Sequence, residues 1–339
     1  MSAISQQPIG RSAIFYALLD KVSNAAALER PVLIMGERGT GKELIASRLH
    51  FLSPRWEQSY IRVNCAAFTD EMLDKELFGQ SFLDGREDTN GRFYLADEGT
   101  LFLDNIEQTT LRLQEKLMRA IEYGHFEAGL ETEVQEVDVR IIAASGTDLR
   151  ECVAKGTFRE DLLDRLAFDV VHLPPLRIRP DDIAPLAEHF GRKASGGLNA
   201  ESFPGFTPEV LAQLESLSWP GNVRELKNVI ERSVANSFLQ DESLSHPIER
   251  LYLDPFEGPE WVKALTPTSS HKVEDKSVSG NTGPANTDAT FNDRVMTFER
   301  RLIDEALSSQ DHHQGKAANY LGLSYHQFRG LLRKHGLKK

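Results

Sequence analysis

Cysteine is nearly absent from this chain of 339 residues: only Cys65 and Cys152 occur, each inside an apolar stretch. Two such thiols exclude a disulfide framework and offer no metal-ligand spacing, so both read as core residues. Long hydrophobic runs are missing as well. No stretch approaches the roughly 20 apolar residues of a membrane helix, and Met1-Ser2-Ala3-Ile4-Ser5-Gln6 lacks the basic-then-apolar pattern of a signal peptide. A cytoplasmic protein without membrane insertion is expected, with no sensory domain ahead of its first helix. Excess positive charge is lacking too. The net charge of -12 would exclude a nucleic-acid partner if it were spread evenly. It is not: His312 to Lys339 holds Lys316, Arg329, Arg333, Lys334, Lys338 and Lys339 and no carboxylate. A basic end on an acidic body is the asymmetry of a protein that meets DNA with one part and nucleotide or protein with another.

At 40% hydrophobic and 27% charged, the chain is long enough for one large domain and a smaller one. Its most informative stretch is Gly36-Glu37-Arg38-Gly39-Thr40-Gly41-Lys42, between the apolar run Pro31 to Met35 and the helical pattern of Glu43 to Leu49. Strand, glycine loop and helix in that order make a phosphate site. The glycines let backbone N–H groups face an anion, the helix terminus adds its dipole, and Lys42 brings a charge to the outer phosphates. Glu43 stands where the usual Ser or Thr would ligate magnesium.

Further apolar runs at Tyr60 to Val63, Thr100 to Asp104, Val139 to Ala144 and Phe168 to Leu173 read as strands separated by helical patterns such as Leu111 to Tyr123. That alternation predicts an α/β fold, a parallel sheet covered on both faces. Residues 1–178 are assigned to it. From Pro180 to about Phe256 the pattern becomes all-helical, a lid spanning 179–256. Residues 257–293, rich in Gly, Pro, Ser, Thr and Asn, read as a linker. Residues 294–339 form a last, all-α domain. Trp56, in the polar turn Ser53 to Gln58, either packs back on the body or stands as an exposed anchor for a partner.

Asp104 closes a strand, where a P-loop enzyme holds magnesium through water beside the phosphates. The following position should carry a carboxylate to activate the attacking water, and it carries Asn105. An amide orients water but cannot take its proton. Glu107 lies nearby in sequence. Arg159 and Arg165 belong either to a salt-bridged helix or to a finger that reaches a neighbouring subunit's phosphate. Arg224, in the first turns of a helix after Trp219-Pro220-Gly221-Asn222, is either a lid arginine facing the nucleotide or half of a salt bridge. At the C-terminus, Lys316 to Leu332 reads as helix, glycine turn, N-cap at Ser324 and second helix, with Leu323, Phe328 and Leu331 as core. As a helix-turn-helix it would present Tyr325, His326, Gln327 and Arg329 to bases and Arg333 and Lys334 to phosphates. An ordinary helical hairpin is the alternative.

Together these residues resemble the bacterial enhancer-binding proteins, AAA+ ATPases that activate transcription by the sigma-54 form of RNA polymerase, and among them the branch serving phage-shock operons. The matching pieces are Gly36 to Leu49, Leu77-Phe78-Gly79, Leu101 to Asp104, Arg159 to Leu166, Trp219 to Asn228 and Tyr325 to Phe328. The resemblance implies a hexameric ring with ATP and Mg2+ between subunits. Lys42 would lie on phosphate, Asp104 on the metal, Asn64 as the switch for the catalytic carboxylate, Arg159 and Arg165 in trans, and Arg224 as lid sensor. It implies three partners besides the ring: promoter-upstream DNA, sigma-54 polymerase and a phage-shock effector as negative regulator. Three departures stand out. Asn105 replaces the family's Glu, Ser145-Gly146 replaces its sensor Thr-Asn, and the sigma-contact loop, normally Gly-Ala-Phe-Thr-Gly-Ala, is an acidic segment in which Phe82 and Leu83 occupy the contact positions. A DNA-binding regulator that binds ATP without splitting it, independent of sigma-54 or antagonising an intact relative, is therefore kept beside the ATP-driven activator. A P-loop ATPase acting on protein is a third reading.

Overall fold

The structure, a computed structural model, describes residues 8–80, 89–127, 134–198, 200, 202–241, 244–255, 291–310, 313–323 and 325–336. The chain divides into two compact units, Met1–Gly258 and Pro259–Lys339.

Five strands build the sheet of the first unit: β1 (Val32–Met35), β2 (Tyr60–Asn64), β3 (Thr100–Asp104), β4 (Arg140–Ser145) and β5 (Asp169–His172). They run parallel in the order β2-β3-β4-β1-β5. All five apolar runs singled out in the sequence are in it. Successive residues sort onto opposite faces, as a strand requires. Leu33, Leu101, Leu103, Ile141 and Ala143 enter one core, while Val32, Ile34, Phe102, Ile142 and Ala144 enter the other. Burial on both sides explains why these strands read as continuous hydrophobic runs.

The helices are α1 (Ala13–Ala26), α2 (Lys42–Phe51), α3 (Asp70–Phe78), α4 (Arg92–Leu95), α5 (Leu111–Tyr123), α6 (Leu149–Ala154) and α7 (Glu160–Leu166). Ser12, Thr69 and Thr110 cap α1, α3 and α5 by accepting backbone N–H bonds. Buried Arg140, at the start of the central strand β4, donates to the carbonyls of Ala25, Ala26 and Leu49, satisfying the ends of α1 and α2.

His50, fully buried on α2, stacks on Tyr60 and places Nδ1 2.9 Å from Thr100 Oγ1. Burial, reinforced by the charge of Arg140, holds its pKa down at about 4 against an ordinary 6.5. The folded ring stays neutral while the unfolded one protonates, so stability is complete above pH 6.5 and falls as pH drops toward 4. The loss amounts to roughly 3 kcal/mol. Denaturant titrations of wild type and His50→Gln across that window should show a much flatter pH dependence in the variant; equal slopes would assign the titration elsewhere.

The lid follows as α8 (Ile183–Gly197), α9 (Pro208–Ser216) and α10 (Asn222–Gln240). The all-helical expectation fails beyond Gln240. Asp241 caps Ser245, Ile248 bridges to Phe206, and Tyr252 donates its N–H to Ser233 Oγ, so the segment returns across the helices in extended form. Leu244, Ile248 and Leu251 supply lid core, together with Leu176 and even Ile9.

In the second unit, α11 (Phe291–Ser309), α12 (Gln314–Tyr320) and α13 (Tyr325–Lys334) enclose Ile303, Ala306, Ala317, Ala318, Phe328 and Leu332. The first of these helices begins inside the stretch read as linker. Leu323 and Leu331 pack against the core partly buried, and Gly322 takes the left-handed turn at φ 65°.

Candidate functional site

In register, Asn64 lies beside Asp104, Asp104 beside Ala144, and Met35 beside Ser145. The C-terminal ends of β1 to β4 therefore meet at the glycine loop, where ligands of open α/β sheets bind. Gly39 and Gly41 take φ values of 82° and 106°, conformations costly for any other residue. Lys42 Nζ folds back onto the carbonyl oxygens of Gly36 at 2.7 Å and Glu37 at 3.3 Å. Burial pushes the Lys42 pKa down, Asp104 and Glu107 draw it back up, and Arg224 adds to the lowering.

Asp104 is half-buried, and desolvation raises its pKa against the opposing pull of Lys42. Its Oδ1 accepts the N–H of Asn105 at 3.0 Å. Asn105 sits in the left-handed region at φ 55° and donates Nδ2 to Asn64 Oδ1 at 2.9 Å. The same Asn64 oxygen accepts the Ala66 N–H at 3.0 Å. Glu43 points away to an ion pair with Arg62.

The lid is fastened to this loop largely by side chains that no motif had singled out. Arg177 grips Glu37 in a bidentate pair at 2.6 and 2.8 Å. That pairing first, and the Asn222 amide second, hold the Glu37 carboxyl down at about 2. Asn222 is fully buried at φ 53°; it accepts the Leu176 N–H at 2.8 Å and donates to Glu37 Oε2 and the Arg38 carbonyl, both at 3.1 Å. Thr40 is buried, and its carbonyl accepts a bond from buried Arg179. Asp182 pairs with Arg179 at 3.6 Å and receives the N–H groups of Arg11 and Ser12. A Cβ on Gly39 would come 2.2 Å from the Gly221 carbonyl and 3.1 Å from Arg224 Cβ, so the start of α10 lies directly on the loop. Arg224 thus stands beside the glycine loop. Only the Trp-Pro-Gly-Asn turn hinted at the clamp.

Other expected residues stay apart from it. Arg159, at the start of α7, pairs with Asp161 at 2.7 Å and Glu115 at 3.8 Å, and Arg165 pairs with Glu122. Within one chain both are salt-bridged surface groups. Trp56 is 56% exposed, against the reading that packed it onto the body. Gly79–Gln80 and Thr89–Asn90 form a short antiparallel ribbon. Phe82 and Leu83, between its strands, lie outside the described residues, as does Ser324. In the second unit Lys316, Tyr325, His326, Gln327, Arg329 and Arg333 are exposed, whereas Lys334 is engaged by Glu299 at 2.6 Å.

A phosphate loop under a helical lid, joined in one chain to a helix-turn-helix, defines a nucleotide-binding AAA+ regulator of transcription. Residues 8–172 match the sigma-54 interaction domain, 177–246 the AAA+ ATPase lid domain and 295–335 the Fis family of bacterial regulatory proteins. The Psp operon transcriptional activator of Escherichia coli K12 is 43% identical over 99% of both chains. The formate hydrogenlyase activator FhlA of the same organism is 45% identical over 67% of this chain, which spans only 33% of that protein. NtrX of Brucella abortus, solved in complex with ATP, superposes with a TM-score of 0.68 at 26% identity, covering 99% of this chain and 71% of its own. The chain belongs to the sigma-54-dependent AAA+ transcriptional activators.

Proposed function

We propose that this protein is the cytoplasmic regulator of a phage-shock type operon, assembling as an ATP-bound ring and acting from promoter-upstream DNA on sigma-54 polymerase. The end-to-end likeness to the Psp operon activator carries the reading. Among the described residues no helix is long and apolar enough to cross a membrane. Asp104, half-buried beside Lys42 with Oδ1 accepting the Asn105 N–H, fits Mg2+ held through water. The ion, when bound, neutralises charge on the phosphates. Arg159 and Arg165, surface-exposed in the single chain, would serve a neighbour's nucleotide across the ring. Trp56 offers an aromatic anchor of the kind a restraining effector would grip.

A gel shift with upstream promoter DNA tests the regulator itself, and absence of salt-dependent binding would sink it. Arg333→Ala should weaken binding on all sequences and reduce the salt slope by about 0.9. Arg329→Ala should instead cost about 1–3 kcal/mol at the cognate site alone. A second reading, ATP binding without hydrolysis, is favoured by Asn105, whose amide is committed to Asn64. Open-complex formation by purified protein and sigma-54 polymerase separates the two: robust activity excludes the second.

A further inference from the structure

The loss of a carboxylate at Asn105 coincides with a second change directly across the site. Glu107, in the turn Ile106–Gln108 that follows β3, extends toward β4 and accepts the Gly146 N–H on Oε1 at 3.1 Å. A Cβ on Gly146 would stand 3.4 Å from that oxygen and 3.9 Å from Lys42 Nζ. A side chain at 146 would therefore start in van der Waals contact with both groups, so the carboxylate, the Gly146 backbone and the lysine are immediate neighbours.

Glu107 Oε2 is buried and has no hydrogen-bond partner. An ionised carboxylate accepts bonds and donates none, so this oxygen can take a bond from a small donor such as water. The charge of Glu107 is felt by Lys42, Asp104 and Cys65 alike, which places it at the centre of the site.

We propose that Glu107 is the general base of this chain, taking the proton that the amide at position 105 cannot accept. The proposal rests on the ATP-driven reading above. Glu107 removes one proton from water as the water oxygen bonds to the γ-phosphorus. The bond from that phosphorus to the β,γ-bridging oxygen breaks, its electron pair leaving on ADP. The proton then passes from Glu107 to solvent as phosphate departs. Two of the departures from the family then meet at one residue: Asn105 gives up the carboxylate, and Glu107, held by the Gly146 N–H, supplies it.

The test compares ATP turnover and nucleotide binding in the full-length wild type, Glu107→Gln, Asn105→Glu, the double variant Asn105→Glu with Glu107→Gln, and Gly146→Asn placed in both the wild type and Asn105→Glu. Glu107→Gln should lower kcat by about a hundredfold to ten-thousandfold while still binding ATP. The double variant should recover turnover. Gly146→Asn, which intrudes on Glu107, should slow the wild type and leave Asn105→Glu active, a result that global misfolding cannot mimic. Wild-type turnover in Glu107→Gln overturns the proposal and leaves the ATP-driven activator standing. ATP binding without any wild-type turnover overturns both, leaving the DNA-binding regulator intact.

Discussion

Lys42→Ala should lower nucleotide affinity by roughly a hundredfold or more, with DNA binding by the isolated chain little changed. Lys42 is the cation that faces both the phosphate position and the two carboxylates behind it, Asp104 and Glu107. Removing one member of such a buried charge pairing costs about 3–5 kcal/mol, because the remaining charges lose their counter-ion. That range spans roughly two to nearly four powers of ten in affinity. The loss has two parts. The outer phosphates forfeit a direct charge-assisted bond, and they then meet an uncompensated Asp104. Calorimetric titration with ATP and ADP measures both, and the deficit should be larger for ATP, which brings one more outer phosphate to Lys42. Affinity within threefold of wild type would place the phosphates elsewhere and remove the basis of the site.

The phosphate loop and the sheet were legible because each announces itself locally. Apolar runs buried on both faces have no polar alternation to obscure them, and a glycine-rich turn between strand and helix has a fixed spacing. Asp104 followed from its place at a strand end. The clamp was not legible, since Arg177, Arg179 and Asn222 are joined to the loop, and Asp182 to the start of α1, across more than a hundred residues of chain. Glu107 was visible as a residue near the site, but its reach depends on the parallel pairing of β3 with β4 that brings Gly146 alongside. Sequence periodicity also missed the extended return after Gln240, where Leu244, Ile248 and Leu251 mimic helical spacing while packing from an irregular strand. Trp56 shows the opposite error. A large aromatic is usually worth burying, and here it stays in solvent.

Asn222→Asp should undock the lid, although it changes one side-chain atom group and keeps the shape. The existing amide oxygen accepts the Leu176 N–H, and either residue type tolerates the left-handed backbone at φ 53°. What changes is the other end. A donor 3.1 Å from both Glu37 Oε2 and the Arg38 carbonyl becomes a negative oxygen facing two acceptors. Two unit charges at that separation repel by about 5 kcal/mol at an effective dielectric of about 20, and Arg177 offsets only part of it. A net loss of about 3 kcal/mol would lower Tm by roughly 10 °C. Nucleotide affinity should fall with it, because Arg224 leaves the loop when α10 moves. The sign with pH is distinctive. Mutual repulsion raises the folded-state pKa of the new carboxylate and Glu37, so protonation on acidification restores a donor between them and the defect shrinks toward pH 5. Asn222→Ala removes the same bonds without adding charge, and its penalty should not vary across that range. Thermal melts of both variants at pH 8 and pH 5 therefore separate hydrogen bonding from charge. Asp more damaging than Ala at pH 8, with the gap closing at pH 5, is the expected pattern. Parallel curves would mean that the Asn222 amide does not carry the junction with Glu37 and that Arg177 and Arg179 hold the lid to the phosphate loop.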